Sequence, residues 1–168
     1  MIFLPLSSSK NYYYAYIYPY LSYNIILWGD TCQNILQPLI IQHKRCIRTI
    51  CNSRKFDHTA PLFKRLQFLQ VKDIFHFSLG TYMHREVNKG QFSLPHSRNT
   101  RQSSRNLAAA RFQNLTQTQR SASYIGPTIW NSIPSNIRNI ECFTQFKKYL
   151  KNYYIDLYED SSVSHVTI

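Results

Sequence analysis

Two histidines and two cysteines near the middle of the chain have side chains that could ligate a metal ion. They are His43, Cys46, Cys51 and His58, separated by three, five and seven residues. Imidazole nitrogens and thiolates are the ligands that Zn²⁺ takes in structural sites, but no standard finger spacing is matched. Cys46 also falls on an apolar helical position, and cysteine is often buried. A role in the core is therefore favoured, with a zinc site as the alternative, and we expect no cofactor.

Side chains that could catalyse a reaction are scarce. The chain has 8 Asp and Glu residues, and its one adjacent acidic pair, Glu159 and Asp160, has no strand pattern around it. Phosphoryl transfer with metal ions needs carboxylates that converge on the cations. The glycines are too dispersed for a phosphate-binding loop, since they stand at positions 29, 80, 90 and 126. Three further histidines stand singly and indicate surface or core-edge positions rather than general bases: His76, His84 and His96. We expect no enzymatic activity.

Positive charge is the clearest chemical signal. Lys and Arg number 20, which gives a formal net charge of +12 and favours a polyanionic partner. Between Val87 and Ile140 there is no Asp or Glu. Arginine has a planar fork that matches phosphate oxygens, although charge runs also serve solubility alone. The residues that we expect to contact nucleic acid are Lys44, Arg45, Arg48, Arg98, Arg101, Arg105, Arg111 and Arg120.

Composition is typical of one globular domain with a tail. The chain has 168 residues, of which 43% are hydrophobic, with 13 Tyr and 10 Phe. Four cysteines are too few for a disulfide scaffold, and the N-terminus lacks the pattern of a signal peptide. The longest apolar run, residues 12–28, contains Pro19 and polar residues and is too short to span a membrane. We expect an intracellular protein, nuclear or cytoplasmic, without membrane association.

Apolar periodicity predicts helices on both sides of a basic segment. Residues 12–27 read as a helix that is apolar almost all round and is kinked or divided at Pro19. Pro38 is expected near the start of the next helix, whose cap would be Asp30 or Asn34 and whose apolar positions recur from Leu39 to Ile50. Further helical patterns cover residues 57–69 and 71–88. Aromatic stripes in such helices more often form core than platforms for bases.

The second half of the chain reads differently. Residues 90–123 lose periodicity and indicate a basic irregular segment, which could hold a short β-hairpin. In residues 124–138 a glycine and two prolines around Trp130 predict a tight turn with a buried aromatic anchor. A last helical face is predicted for Phe143, Phe146, Leu150, Tyr153 and Leu157. The predicted fold class is mainly α, in two loosely connected helical parts.

Five pieces in this order, the last of them in two parts, resemble a known family. They are YIYPYLSYNIILWG at 16–29, HKRCIRTI at 43–50, DHTAPLFKRLQFL at 57–69, PHSRNTR at 95–101, YIGPTIWNSIPSNIR at 124–138 and FKKYL at 146–150. Together they resemble the C-terminal region, comprising the thumb and the post-thumb segment, of non-LTR, LINE-type (Jockey-like) retrotransposon reverse transcriptases. The recurrent motif positions of that family fall on His96, Thr100, Arg101, Gly126, Pro127, Trp130 and Pro134, without a catalytic role.

The resemblance implies a helical element of an RNA-directed DNA polymerase that holds RNA or DNA. It divides the chain into an irregular N-terminus (1–10), a thumb-like helical region (11–89), a basic linker (90–123), a turn with the C-terminal helix (124–158) and a tail (159–168). The palm with its paired aspartates would precede Tyr12, so we expect a non-catalytic fragment that could work with a separate palm-bearing reverse transcriptase. At Asn24 the family usually has glycine. The alternatives are a degenerate transposon remnant without nucleic-acid function, and a protein–protein contact surface.

Overall fold

A computed structural model describes residues 5–89 and 122–158, which are mainly α-helical as predicted and contain no strand. The helices are α1 (Leu6–Tyr12), a π-helical turn (Tyr13–Ile17), α2 (Tyr18–Ser22), α3 (Ile25–Trp28), α4 (Gln33–Cys51), α5 (Ala60–Leu66), α6 (Val71–Asn88), α7 (Ala122–Ser132), α8 (Ser135–Arg138) and α9 (Phe143–Asp156). The hairpin suggested for the basic segment falls on residues outside these ranges. None of the helices described is long and apolar enough to cross a bilayer.

The helical N-terminal segment begins earlier than its sequence pattern predicts. Helix α1 starts at Leu6, so the prediction of an irregular stretch over residues 1–10 is wrong from that residue on. Pro5 stands at the N-cap, where a missing N–H costs nothing. Pro19 lies in the first turn of α2 and divides the segment there, because it cannot donate a hydrogen bond to the preceding turn. The π-helical turn directly precedes this interruption.

Burial of this segment is one-sided, whereas its apolar composition predicts burial on most faces. Tyr13, Leu21 and Ile25 are buried in the core. The opposite side is open to solvent, and its exposed large side chains are Tyr12, Tyr16, Tyr20, Tyr23 and Leu27. Tyr14 is also exposed, but its ring contacts Phe68 of the core and Lys151 of α9. The segment packs against α4 and α6 and has no described neighbour on the other side, so composition alone overestimates its burial.

Asn24 separates α2 from α3 with a left-handed backbone. Its φ of 48° and ψ of 27° lie in the region that glycine adopts most easily and that asparagine tolerates better than most residues. The chain changes direction here, and the Trp28 indole donates a hydrogen bond to the Tyr23 carbonyl oxygen at 2.8 Å. Backbone sterics therefore favour glycine or asparagine at this position.

Helix α4 begins between its two predicted starts. Its N-cap is Cys32, rather than Asp30 or Asn34, and Pro38 lies inside the helix instead of in its first turn. Pro38 removes one backbone hydrogen bond, to the carbonyl of Asn34. Burial of Leu36 one turn from the N-terminus packs the early part of the helix and offsets that loss.

Helix α6 is the centre of the fold. As predicted, its buried positions include Val71, Ile74, Phe75, Leu79 and Met83. It contacts α2, α3 and α4 from the first part of the chain and α7 and α9 from the second part. The prediction of two loosely connected halves is therefore wrong: side chains from both form one hydrophobic core, because α6 is buried on opposite sides.

Residues 122–132 form helix α7, not the predicted tight turn. Pro127 lies inside the helix, where it removes one hydrogen bond, while the predicted burial of Trp130 is confirmed. Gly126 explains why this stretch packs so closely, since a Cβ added there would lie 2.5 Å from Met83 Sδ on α6. The glycine serves helix packing here and no turn. Pro134 precedes the short helix α8 as its N-cap.

The face of α9 is partly as predicted. Phe146 and Leu150 are buried, whereas Leu157 is exposed and Tyr154 and Tyr158 are buried in its place. The helix ends at Asp156, so the helical spacing no longer determines which side of the helix Leu157 faces. The Tyr158 hydroxyl donates to Asp73 Oδ2 at 2.6 Å and accepts from the Gln70 backbone N–H at 2.9 Å. These two bonds tie the end of α9 to the start of α6.

Candidate nucleic-acid interface

The four residues considered as zinc ligands do not form a site. No group of three or more potential ligands comes together in residues 5–89 and 122–158. His43 is buried, His58 is exposed, and Cys46 and Cys51 are half-buried on α4. All four cysteines of the chain, including Cys32 and Cys142, are free thiols.

His43 has a structural partner instead. Its Nε2 atom lies 2.9 Å from the Tyr13 hydroxyl, and the Tyr13 ring stacks on Phe68 with centroids 4.0 Å apart. Burial lowers the pKa of His43 to about 4 and raises the pKa of Tyr13 well above its ordinary value. At neutral pH the imidazole is uncharged and the phenol keeps its proton, so the two can share a hydrogen bond inside the core. The pair joins the π-helical turn to α4.

The other described histidines also serve packing. The prediction of a surface or core-edge position for His84 is wrong, because its ring is buried and lies 4.2 Å from the Phe146 centroid. Its Nε2 atom lies 2.7 Å from the Ile140 carbonyl oxygen. His76 is half-buried, and burial lowers its pKa, with the Asp73 carboxylate opposing this shift.

The predicted phosphate contacts of α4 lie on its solvent-facing side. Arg45 is exposed, and Lys44 and Arg48 are half-buried. None of the three forms an ion pair with a carboxylate of the residues that the structure describes. Lys44 and Arg48 are four residues apart and therefore neighbours on the helix. Residues 31–56 contain no Asp or Glu, so the nearest acidic residues in the sequence are Asp30 and Asp57.

Arg48 organises the loop after α4. Its Nε donates to the Asp57 carbonyl oxygen at 3.0 Å, and Asp57 Oδ2 accepts from the Arg54 backbone N–H at 2.8 Å. This uses one of the five donors of the guanidinium. Both arginines are thereby tied to Asp57, whose carboxylate is hydrogen-bonded within the loop.

Two further cations lie at the C-terminal end of α4. Burial raises the pKa of the Cys51 thiol, and the positive charges of Arg65 and Lys10 oppose that rise, which places both near Cys51. Helices α1 and α5 both pack on α4, and each brings a cation towards its C-terminal end. We call this region the basic surface; its residues are Lys10, Lys44, Arg45, Arg48, Arg54 and Arg65. Cations at a helix C-terminus also favour the helix dipole, which gives Arg48 a structural role as well.

Sequence reasoning identified only part of the basic surface. Lys10, Arg54 and Arg65 were not predicted, since they join it only through the packing of α1 and α5 on α4 and the loop contact. The absence of acidic residues from 31 to 56 could have indicated Arg54. The remaining predicted contacts, Arg98, Arg101, Arg105, Arg111 and Arg120, lie outside the described residues, as do His96 and Thr100.

Comparison of the chain with models of protein families, with curated proteins and with solved structures gives no match.

Proposed function

We propose that this chain binds the phosphate backbone of RNA or DNA through the basic surface and catalyses no reaction. The observation that carries the proposal is the clustering of cations on α1, α4 and α5, with Lys44, Arg45 and Arg48 unpaired by described carboxylates. Such a surface attracts a polyanion and releases counterions when it binds. Arginine dominates it, and its guanidinium can form two hydrogen bonds to one phosphate.

We further propose that the chain is the thumb and post-thumb fragment of a non-LTR, LINE-type reverse transcriptase. The similarity of the segments at 16–29, 43–50, 57–69 and 124–138 supports this proposal. The left-handed backbone of Asn24 agrees with it too, because the family usually has glycine there. The partners would be RNA or DNA and a palm-bearing polymerase, and the site of action intracellular, in the nucleus or the cytoplasm.

Filter binding of the full chain to a labelled RNA, over a series of salt concentrations, tests the proposed function. We expect the logarithm of affinity to fall linearly with the logarithm of salt concentration. The double variant Lys44→Gln, Arg45→Gln removes two surface charges and should reduce the magnitude of this slope by about 1–2. Arg48 is left intact because it also holds the loop at Asp57.

The matched control is Lys89→Gln, which removes an exposed lysine that is paired with Glu86 at 2.9 Å. It should leave the slope nearly unchanged. A second double variant, Arg101→Gln, Arg105→Gln, measures the contribution of the predicted linker arginines. No binding at low salt, or binding that is insensitive to salt, would contradict the proposal and favour a remnant or a protein-contact surface. An unchanged slope in the α4 variant would show that the basic surface is not the binding site.

A further inference from the structure

The N-terminal segment carries a row of solvent-exposed tyrosines. Tyr12, Tyr16 and Tyr20 recur at every fourth residue, and Tyr23 follows after α2; their exposed fractions are 53%, 64%, 82% and 74%. Residues four apart lie on the same side of a helix. The rings of Tyr12 and Tyr16 are stacked, with their centroids 6.1 Å apart and their planes at 20°. We call these four residues the tyrosine row.

The row is not needed for the core. Tyr13, which lies between Tyr12 and Tyr16 in the sequence, is buried and anchors the segment through its contacts with His43 and Phe68. An exposed aromatic ring gains little by folding, because its apolar area stays in water. Four exposed rings within twelve residues, two of them stacked, form an aromatic patch, whereas scattered single side chains would need no explanation.

The charges around the row are positive. Residues 1–29 include Lys10 and no Asp or Glu. On the flank of the segment Lys151 of α9 donates from Nζ to the Tyr14 hydroxyl at 3.3 Å, and the same ammonium lies 5.8 Å from the Tyr14 ring centroid. Lys147 precedes Lys151 by one helical turn. Exposed aromatic rings on a segment that carries positive and no negative charge fit a ligand that has both aromatic faces and negative charge.

We propose that the tyrosine row is a stacking platform for the bases of single-stranded nucleic acid, whose phosphates are attracted by the positive charge of this part of the chain. In a duplex the base faces are covered by stacking on each other, so the row can engage only unpaired bases. Tyrosine rings stack on any base, and therefore the platform selects strandedness and not sequence. This inference rests on the proposed function and adds to it the class of nucleic acid.

Fluorescence anisotropy with a labelled oligothymidylate of about 20 nucleotides, long enough for a typical single-strand site, tests this inference. A duplex of the same length is measured in parallel. The native chain should prefer the single strand. The triple variant Tyr12→Ala, Tyr16→Ala, Tyr20→Ala should weaken single-strand binding by about tenfold or more, and duplex binding much less.

Two matched controls separate the ring from other effects. Replacement of the same three tyrosines by phenylalanine keeps the rings and should retain the preference. Tyr149→Ala removes an equally exposed tyrosine outside the row and should have no effect. Circular dichroism establishes that each variant is folded. We expect them to fold, because the replaced side chains are exposed.

The outcomes distinguish this inference from the proposed function. Equal binding of single strand and duplex, unaffected by the alanine variant, would overturn the platform and leave the backbone-binding function intact. Binding to neither probe would overturn both. If the alanine variant instead abolishes self-association in sedimentation while nucleic-acid binding persists, the row contacts a second copy of the chain and the inference is wrong.

Discussion

Tyr13 and His43 show how single residues that look chemically active can serve the core. Both side chains carry groups that titrate, and both are held among Phe63 and Phe68 with their polar atoms 2.9 Å apart. A buried polar atom costs free energy unless it is hydrogen-bonded, so each residue requires the other. This mutual requirement explains a histidine on the apolar face of α4 without a metal.

We predict that the free energy of unfolding falls as pH decreases from about 6.5 to about 4, because His43 becomes protonated in that range. Burial lowers the pKa of His43 from about 6.5 in the unfolded chain to about 4, so its contribution is full above 6.5 and is lost as pH falls towards 4. That shift corresponds to about 3 kcal/mol of unfolding free energy. Urea denaturation followed by circular dichroism at several pH values measures it.

The variant His43→Gln removes the titrating group and should flatten this part of the pH profile, because a neutral amide can still bond to Tyr13. Exposed His58 provides the control, and His58→Gln should reproduce the native profile. If the native chain and His43→Gln lose stability in parallel between these pH values, the loss comes from other groups.

At the scale of the element, α6 is held by different contacts along its length. Near its middle and C-terminal half, Gly80 and Met83 lie against α9 and α7. At its N-terminus the Gln70 N–H and the Asp73 carboxyl group share the Tyr158 hydroxyl. One phenol therefore satisfies a free N–H of the helix start and joins the end of α9 to the start of α6.

We expect Tyr158→Phe to destabilise the protein by about 1–3 kcal/mol, since it leaves two polar groups without their partner. Burial raises the pKa of Asp73, and the Tyr158 hydrogen bond opposes that rise. A carboxyl group with a raised pKa contributes stability at low pH and loses it as pH rises through the folded pKa. Removal of the hydroxyl raises the pKa further, so the loss should be greater at pH 7 than in acid.

Hydrogen exchange at the end of α9 and urea denaturation measure the effect of Tyr158→Phe. Tyr149→Phe on the same helix is the matched control; its hydroxyl is exposed, and the change in unfolding free energy should stay within about 0.5 kcal/mol. Equal stability of the two variants would show that the bonds to Asp73 and Gln70 contribute nothing.

At the scale of the whole molecule, the two parts that flank the basic segment share one core. His84, Trp130 and Phe146 come from three helices and lie in mutual ring contact, with Trp130 and Phe146 centroids 5.8 Å apart. Neither part could bury these surfaces alone. The arginine-rich segment thus connects helices that pack directly on each other.

Unfolding should therefore be a single transition. Trp28 and Trp130 are the two tryptophans, one in each part, so Trp28→Phe and Trp130→Phe each leave a reporter for one part. Within each variant, the urea midpoints from tryptophan fluorescence and from circular dichroism should coincide, because two-state unfolding gives the same midpoint for every probe. A separate transition for either reporter would mean that the parts fold independently.

The sequence by itself determined the helical class, the face of α6, the burial of Trp130 and the positive charge of α4. Each of these features follows from the types and spacing of residues close together in the sequence. Only the tertiary structure decided that Gly126 and Pro127 lie in a packed helix, that His43 bonds to Tyr13, and that Lys10 and Arg65 meet at Cys51. These contacts join residues far apart in the chain, and no local pattern specifies which helix covers which. The exposure of the tyrosine row was decided in the same way, since the segment has a described neighbour on one side only.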